Sequence, residues 1–300
     1  MVKTKLSSMP IKDRAFEILI WILGGLVFLA MVYPIWFVII ASLSEPGFIQ
    51  NGKVWFWPVG FNLDGYAEVF QDTRIWTGYA NTLYVVILGT LLSMVTTVPC
   101  AYALSRKDFK ARRIVMIFFL ITMYFNGGLI PTYLTISKTL HMDNTRWVMI
   151  IPFCVNVYNL IVCRTFFATS LPQELLEAAK LDGCSNTRYF VSIALPLSKA
   201  ILSVIMLYYI VQRWNDYFTA LIYIRDSDLK PLQIVLRDIL LMNESLQGTG
   251  ANSYVASDNL RKAELVKYGS IIVSTLPIMI LYPFLQKYFE KGVMIGALKG

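Results

Sequence analysis

Ile18-Leu-Ile-Trp-Ile-Leu-Gly-Gly-Leu-Val-Phe-Leu-Ala-Met-Val-Tyr-Pro-Ile-Trp-Phe-Val-Ile-Ile-Ala41 is a run of 24 residues without one charge. A helix of that length covers about 36 Å, enough to cross a hydrocarbon core of about 30 Å. Lys3, Lys5, Lys12 and Arg14 precede it, as basic residues precede the apolar part of a signal peptide. The run is longer than the ~7–15 residues of such a region, and no A-x-A cleavage site follows. The stretch therefore predicts a retained membrane anchor. Pro34 should kink it, because its missing N–H leaves a carbonyl in need of another partner.

Five further apolar runs follow, at 78–104, 114–136, 147–168, 200–224 and 266–286. Each approaches or exceeds the ~20 residues that span a bilayer. The composition agrees: 56% of the residues are hydrophobic and 15% charged, against about 25% charged in soluble domains. The sequence thus predicts an all-α membrane protein with six transmembrane helices over 18–286. Alternation from an inner N-terminus puts 1–17, 105–113, 169–199 and 287–300 on one side, with 15 Lys/Arg against 7 Asp/Glu. The opposite set, 44–77, 137–146 and 225–265, holds 9 Lys/Arg and 11 Asp/Glu. Positive charge gathers in cytoplasmic loops, and 105–113 alone has five basic residues. Both termini are therefore expected in the cytoplasm. The net charge of +8 is accounted for by this topology and does not call for nucleic acid. The segment 225–267 is the one place with room for sizeable structure outside the spans.

Cys100, Cys154, Cys163 and Cys184 form no CxxC pair, and His141 is the only histidine. Neither disulfides nor a metal site are expected from that set. A membrane-embedded enzyme would need clustered catalytic groups, which one loop histidine does not supply. A transporter driven by an ion gradient would need a relay of ionisable groups, yet Asp216 is the only acid well inside a span. Arg213 lies three residues before it, at a spacing that lets the two pair on a helix. A purely structural membrane component leaves the loop 169–199 without a role.

That loop contains Ser170-Leu-Pro-Gln-Glu-Leu-Leu-Glu-Ala-Ala-Lys-Leu-Asp-Gly-Cys-Ser-Asn-Thr-Arg-Tyr-Phe-Val-Ser-Ile-Ala-Leu-Pro196. Ser170 and Gln173 have capping-box spacing, and Pro172 suits a first helical turn. Gly183 should stop the helix, Ser185 can start a second, and the approach to Pro196 should end that one. The outcome is a helix, a glycine hinge and a second helix across the membrane surface. Ala178 and Ala179 offer a small-residue patch for close approach by another protein, with Glu177 beside them for a basic partner group.

Glu177-Ala178-Ala179, Gly183, Ile193, Leu195 and Pro196 fill every fixed position of E-A-A-x3-G-x9-I-x-L-P. The pattern resembles the EAA signature of binding-protein-dependent ABC importer permeases. The resemblance extends along the chain. Tyr124-Phe125-Asn126-Gly127-Gly128-Leu129-Ile130-Pro131, Trp214-Asn215-Asp216, Pro231-Leu232-Gln233 and the tail Lys291–Gly300 are similar to the carbohydrate-uptake, MalG-like branch. Within it they look nearest to the LplC/YtcP subgroup, although Asp216 stands where serine would be expected.

The resemblance implies a MetI-like permease fold in a bacterial plasma membrane. It also implies a heterodimer with a second homologous permease, two ATPase subunits and an extracytoplasmic solute-binding protein, serving a sugar or oligosaccharide. ATP and Mg would belong to the ATPase, and no cofactor to this chain. In agreement, Gly52-Lys53 is followed by Val54, so no phosphate-binding G-x4-G-K-[ST] loop is present. The 169–199 loop would dock on the ATPase through Glu177, Ala178, Ala179, Gly183, Ile193, Leu195 and Pro196. Candidate residues along the translocation path are Asn156, Tyr158, Asn159, Trp214, Asn215 and Asp216. The cytoplasmic tail is 287–300, and its glycine-bearing part, Lys291–Gly300, would enter the ATPase interface.

Overall fold

The computed structural model describes residues 11–248, 261–280 and 283. The helices are α1 (Ile11–Ser42), α2 (Pro46–Gln50), α3 (Asp64–Gln71), α4 (Thr73–Ser105), α5 (Arg112–Tyr124) and α6 (Leu129–Leu134). Then follow α7 (Val157–Ser170), α8 (Gln173–Leu181), α9 (Asn186–Tyr189), α10 (Leu195–Leu197), α11 (Lys199–Trp214), α12 (Phe218–Tyr223), α13 (Leu232–Gly248) and α14 (Arg261–Ile280). There is no named strand among the described residues; Ser44 and Phe61 form an isolated bridge.

Among the described residues, three helices are long and apolar enough to cross a membrane: Ala15–Ser42, Thr73–Ser105 and Arg261–Ile280. Two bent pairs, Arg112–Tyr124 with Leu129–Thr139 and Asn186–Leu197 with Lys199–Trp214, raise the possible number to five. The fourth expected span, 147–168, opens on a 3-10 turn at Arg146–Met149 and is α-helical only from Val157, in a helix that ends at Ser170. Those 14 residues cover about 21 Å, short of the ~30 Å core. Pro152 and the cap at Asn156 account for the late start. The expected span 200–224 is likewise interrupted at 215–217, between α11 and α12. The expected break in 114–136 occurs at 125–128, where Gly128 has φ +86 and the helix axes differ by 111°. Pro34 lies inside α1 without ending it. Of the last expected span, 281–286 lies outside the described residues apart from 283, and so do the tail 287–300 and 1–10.

The chain divides into two compact units, 1–71 with 239–274, and 72–238 with 275–300. In the former, α1 is exposed along most of its length and buried only near its end, at Ile40, Ala41 and Ser42. Ser42 Oγ hydrogen-bonds Tyr66 at 2.7 Å, and Arg261 Nε donates to Glu45 at 2.6 Å. That bond holds the Glu45 carboxyl below its ordinary pKa, against partial burial.

In the latter, α4 is the axis. Its buried positions include Gly78, Thr82, Gly89, Ser93, Thr97 and Ala101. Such small residues let helices approach closely where lipid provides no hydrophobic drive. One core cluster joins Val98, Ala101 and Leu104 to Leu160, Cys163 and Phe167 of α7 and Ile201, Ile205 and Tyr209 of α11. Nearer the Thr73 end, Asn81 Nδ2 donates to the Asp228 carbonyl at 2.7 Å, and Arg146 Nε donates to Asn81 Oδ1 at 2.9 Å. Asn144, at φ 53, accepts from the backbone N–H groups of Arg225 and Asp226. The loops at this end are thereby fastened to α4 through the Asn81 side chain and to each other through Asn144.

Candidate functional site

The signature loop folds by local rules. Ser170 ends α7, and α8 begins after Pro172 without a side-chain cap, so the expected capping box does not form. Gln173 instead donates through Nε2 to Glu177 Oε1 at 2.9 Å. At the other end, Gly183 takes φ +75. Its N–H reaches the Lys180 carbonyl at 3.0 Å, and that of Cys184 the Ala179 carbonyl at 2.9 Å. These two bonds make a Schellman closure. A Cβ at Gly183 would meet nothing within 4 Å, so the backbone angle and not space requires glycine. Ser185 Oγ caps the next turn by accepting from the Arg188 N–H at 3.3 Å. Pro196 does not end the second limb, which continues as a π-type turn through Phe190–Ala194 into α10. At Ser198 it meets α11 at 82°, as a limb lying along a membrane surface would.

Ala179 and Ala178 part company. Ala179 is buried with Tyr189 and Ala194, against Leu175, Leu176 and Ile193. Its small side chain therefore lets the two limbs close on each other, and the surface patch expected for both alanines is left to Ala178. Ile193 and Leu195 are half-buried, and Pro196 is exposed. Glu177 and Ala178 face outward, as do Glu174 and Asp182. So does Leu181, which is 90% exposed. Glu174, Glu177, Ala178 and Leu181 form one stripe by i,i+3 and i,i+4 spacing. Sequence reasoning missed Leu181, although it lies three positions after Ala178 and off the Leu175–Ala179 face.

Beside α8 runs an open groove of about 340 Å³, lined by Tyr102, Arg106, Asp108, Phe167, Glu177 and Lys180 among others. Arg106 forks onto Asp108, with Nε 2.9 Å from Oδ1, and donates to the Tyr102 hydroxyl at 2.9 Å. Lys180 Nζ reaches Asp108 Oδ2 at 3.3 Å. The hydrogen bond from Arg106 holds the Asp108 carboxyl well below the ordinary carboxylate range, and Lys180 adds to it. The same bond raises Arg106, and burial pushes the Tyr189 phenol up. Tyr102 lies 6.4 Å from Tyr189 in a stacked pair and 4.8 Å from Phe190.

Deeper in the same unit, Arg213 does not pair with Asp216. It donates through Nη1 to the Met149 carbonyl, and through Nη2 to Ser93 Oγ at 2.9 Å and the Ile150 and Phe153 carbonyls at 3.4 Å. Those carbonyls precede α7, where no regular helix offers them a partner, and a buried acceptor needs one. Asp216 instead accepts from the Thr219 N–H at 3.1 Å. Gly89 makes room for the guanidinium, since a Cβ there would sit 2.5 Å from Arg213 Nε.

Asn156 does not share a helical face with Asn159. It caps α7 by accepting from the Asn159 N–H at 3.2 Å, and its own N–H donates to the Tyr209 hydroxyl at 3.1 Å. Tyr209 also bonds Thr97 at 2.7 Å. Tyr158 and Asn215 are exposed and Asn156 half-buried. Asn159 and Trp214 are buried, the latter packed edge-on against Tyr79, so neither lines an open path in this state.

The profile of the family described as binding-protein-dependent transport system inner membrane component matches residues 75–295. The chain is 36% identical over 291 residues to the polygalacturonan/rhamnogalacturonan transport system permease protein YtcP of Bacillus subtilis (strain 168), covering 96% of this chain and 100% of the relative. It is also 36% identical over 288 residues to protein LplC of the same organism, with 96% of each covered. A solved relative is the bacterial ABC transporter involved in the import of the acidic polysaccharide alginate. It superposes with a TM-score of 0.84 at 32% identity, over 94% of this chain and 99% of that one. The chain belongs to the binding-protein-dependent transport system inner membrane components.

Proposed function

We propose that the chain is one permease subunit of an ATP-driven importer for a sugar or oligosaccharide, and that α8 is the helix through which a cytoplasmic ATPase drives it. The observation that carries this is the outward stripe Glu174, Glu177, Ala178 and Leu181, with Leu181 90% exposed at the tip of α8 just before the Gly183 turn. A single exposed leucine is common on protein surfaces; this one shares its stripe with Ala178 and two carboxylates in the loop that carries the E-A-A-x3-G-x9-I-x-L-P pattern. An apolar pocket flanked by basic side chains fits that stripe.

The full assembly is this chain, a second homologous permease, two ATPase subunits binding ATP and Mg, and an extracytoplasmic solute-binding protein. Its place is the bacterial plasma membrane, with six spans over 18–286, both termini inside and 169–199 as the coupling loop. Closure of the ATPase pair displaces α8 and switches the bundle between inward- and outward-facing states. The tail segment Lys291–Gly300 enters the ATPase interface. Of the candidate path, Tyr158 and Asn215 are exposed and Asn156 and Asp216 half-buried. The carbohydrate transport named for YtcP and for the alginate importer supports the substrate class.

The test is retention of the ATPase by the tagged permease pair. Leu181→Asp and Ala178→Trp should each lower retention by about tenfold or more, as loss of an interface anchor does, with the amount of permease in the membrane unchanged. Parental retention by Leu181→Asp would place the docking surface elsewhere.

A further inference from the structure

The groove beside α8 separates that helix from the segment following α4. It is bridged in two places. At its rim, Asp108 joins Arg106 to Lys180. At its floor, Tyr102 packs against Tyr189 and Phe190. The Arg106 side chain is only 9% exposed and is fixed by the Asp108 fork and by the Tyr102 hydroxyl. Asp108 is thus presented to Lys180 by a rigid neighbour. An exposed ion pair by itself contributes little; one mounted on a buried, forked arginine has a set direction.

Above this point α4 runs unbroken to Thr73. Thr97, Ser93 and Gly89 recur every fourth residue on one stripe. Thr97 holds the Tyr209 hydroxyl, Ser93 accepts from Arg213, and Gly89 receives its guanidinium. Tyr209 and Arg213 in turn hold the backbone that leads into α7, at Asn156 and at the 149–153 carbonyls. A displacement of α8 carried by Asp108 would therefore act through one helix on the polar cluster at the head of α7.

We propose that Asp108 is a positioning residue that fastens the coupling loop to α4, making α4 the rod that transmits the loop's movement to the Arg213–Asn156 cluster. This rests on the assignment of α8 as the docking helix. Lys180 meets Asp108 in the groove that Glu174 and Glu177 also line, whereas Ala178 and Leu181 do not line it, so losing the fastening should spare the contact made by Leu181.

The experiment uses the assembled importer, both permeases with the ATPase, in nanodiscs, and needs no transported substrate. Cys154, partly exposed between the Phe153 carbonyl and Asn156, is a native reporter. Its labelling by a charged maleimide is followed peptide by peptide, before and after ATP–Mg with vanadate. In the parent, the labelling rate should change on trapping. Asp108→Asn should retain the ATPase at parental level yet shrink that change about fivefold, the lower end of coupling between distant sites. Asp108→Glu, which keeps the carboxylate, should restore most of it. Lys180→Met leaves the Arg106 fork intact and should give a smaller loss. A full Cys154 response in Asp108→Asn overturns the proposal, as does a parent without any response. Loss of the ATPase together with the response also overturns it, because Asp108 would then serve docking or folding. Docking itself is judged separately by Leu181→Asp.

Discussion

Gly89 and Arg213 illustrate how a single position is decided by its neighbour. The guanidinium occupies the space where a Cβ of residue 89 would project. Its Nη atoms cannot retreat without abandoning the Met149, Ile150 and Phe153 carbonyls. Gly89→Ala should therefore destabilise the bundle by about 1–3 kcal/mol, the usual cost of overpacking a close contact. A lower midpoint of thermal unfolding in detergent would register it, and an unchanged midpoint would mean that Arg213 has another low-energy position. Sequence spacing pointed to Asp216 as the partner of Arg213, because i,i+3 is the nearest opposite charge on a helix. The acceptors turned out to be main-chain carbonyls. Those are invisible in a sequence unless one knows where the helix fails to form. Ala179 is a related case: residue type marks a close contact without telling which side of the helix makes it, and here the contact is with Tyr189 and Ala194 of the facing limb.

Among elements, the legible ones are those whose ends carry their own chemistry. Gly183 and Ser185 stand where the chain turns, and both do what a left-handed glycine and a cap do. The illegible ones are the interrupted spans. Hydropathy registers the apolar content of 147–168 and 200–224 and is blind to backbone angles, so it joined pieces that the fold keeps apart. Pro152 and Asn156 were the signals available for the former. The cap at Asn156 can be weighed directly. Asn156→Ala removes the acceptor for the Asn159 N–H and should cost about 1 kcal/mol. Asn156→Asp should retain the cap. Hydrogen exchange at the first turn of α7 distinguishes the two, and equal protection in both would show that the Tyr209 hydroxyl alone holds the turn.

At the scale of the whole molecule, charge distribution and family membership are both readable in the sequence, while the interruptions inside the apolar runs are not. The two sets of loops differ sharply, 15 Lys/Arg against 7 Asp/Glu in one and 9 against 11 in the other. Protease-cleavable tags at either terminus should therefore be cut only after right-side-out vesicles are opened; cleavage in sealed vesicles would reverse the orientation. α5 adds a consequence for handling the protein outside the cell. None of its 13 residues is fully buried: Val115, Met116 and Phe119 pack against the core, while Ile114, Ile117, Phe118 and Ile121 are exposed. Lipid tails solvate such an apolar flank as readily as protein does. Whatever replaces the bilayer during extraction must cover that flank, so the choice of detergent becomes part of keeping the chain soluble.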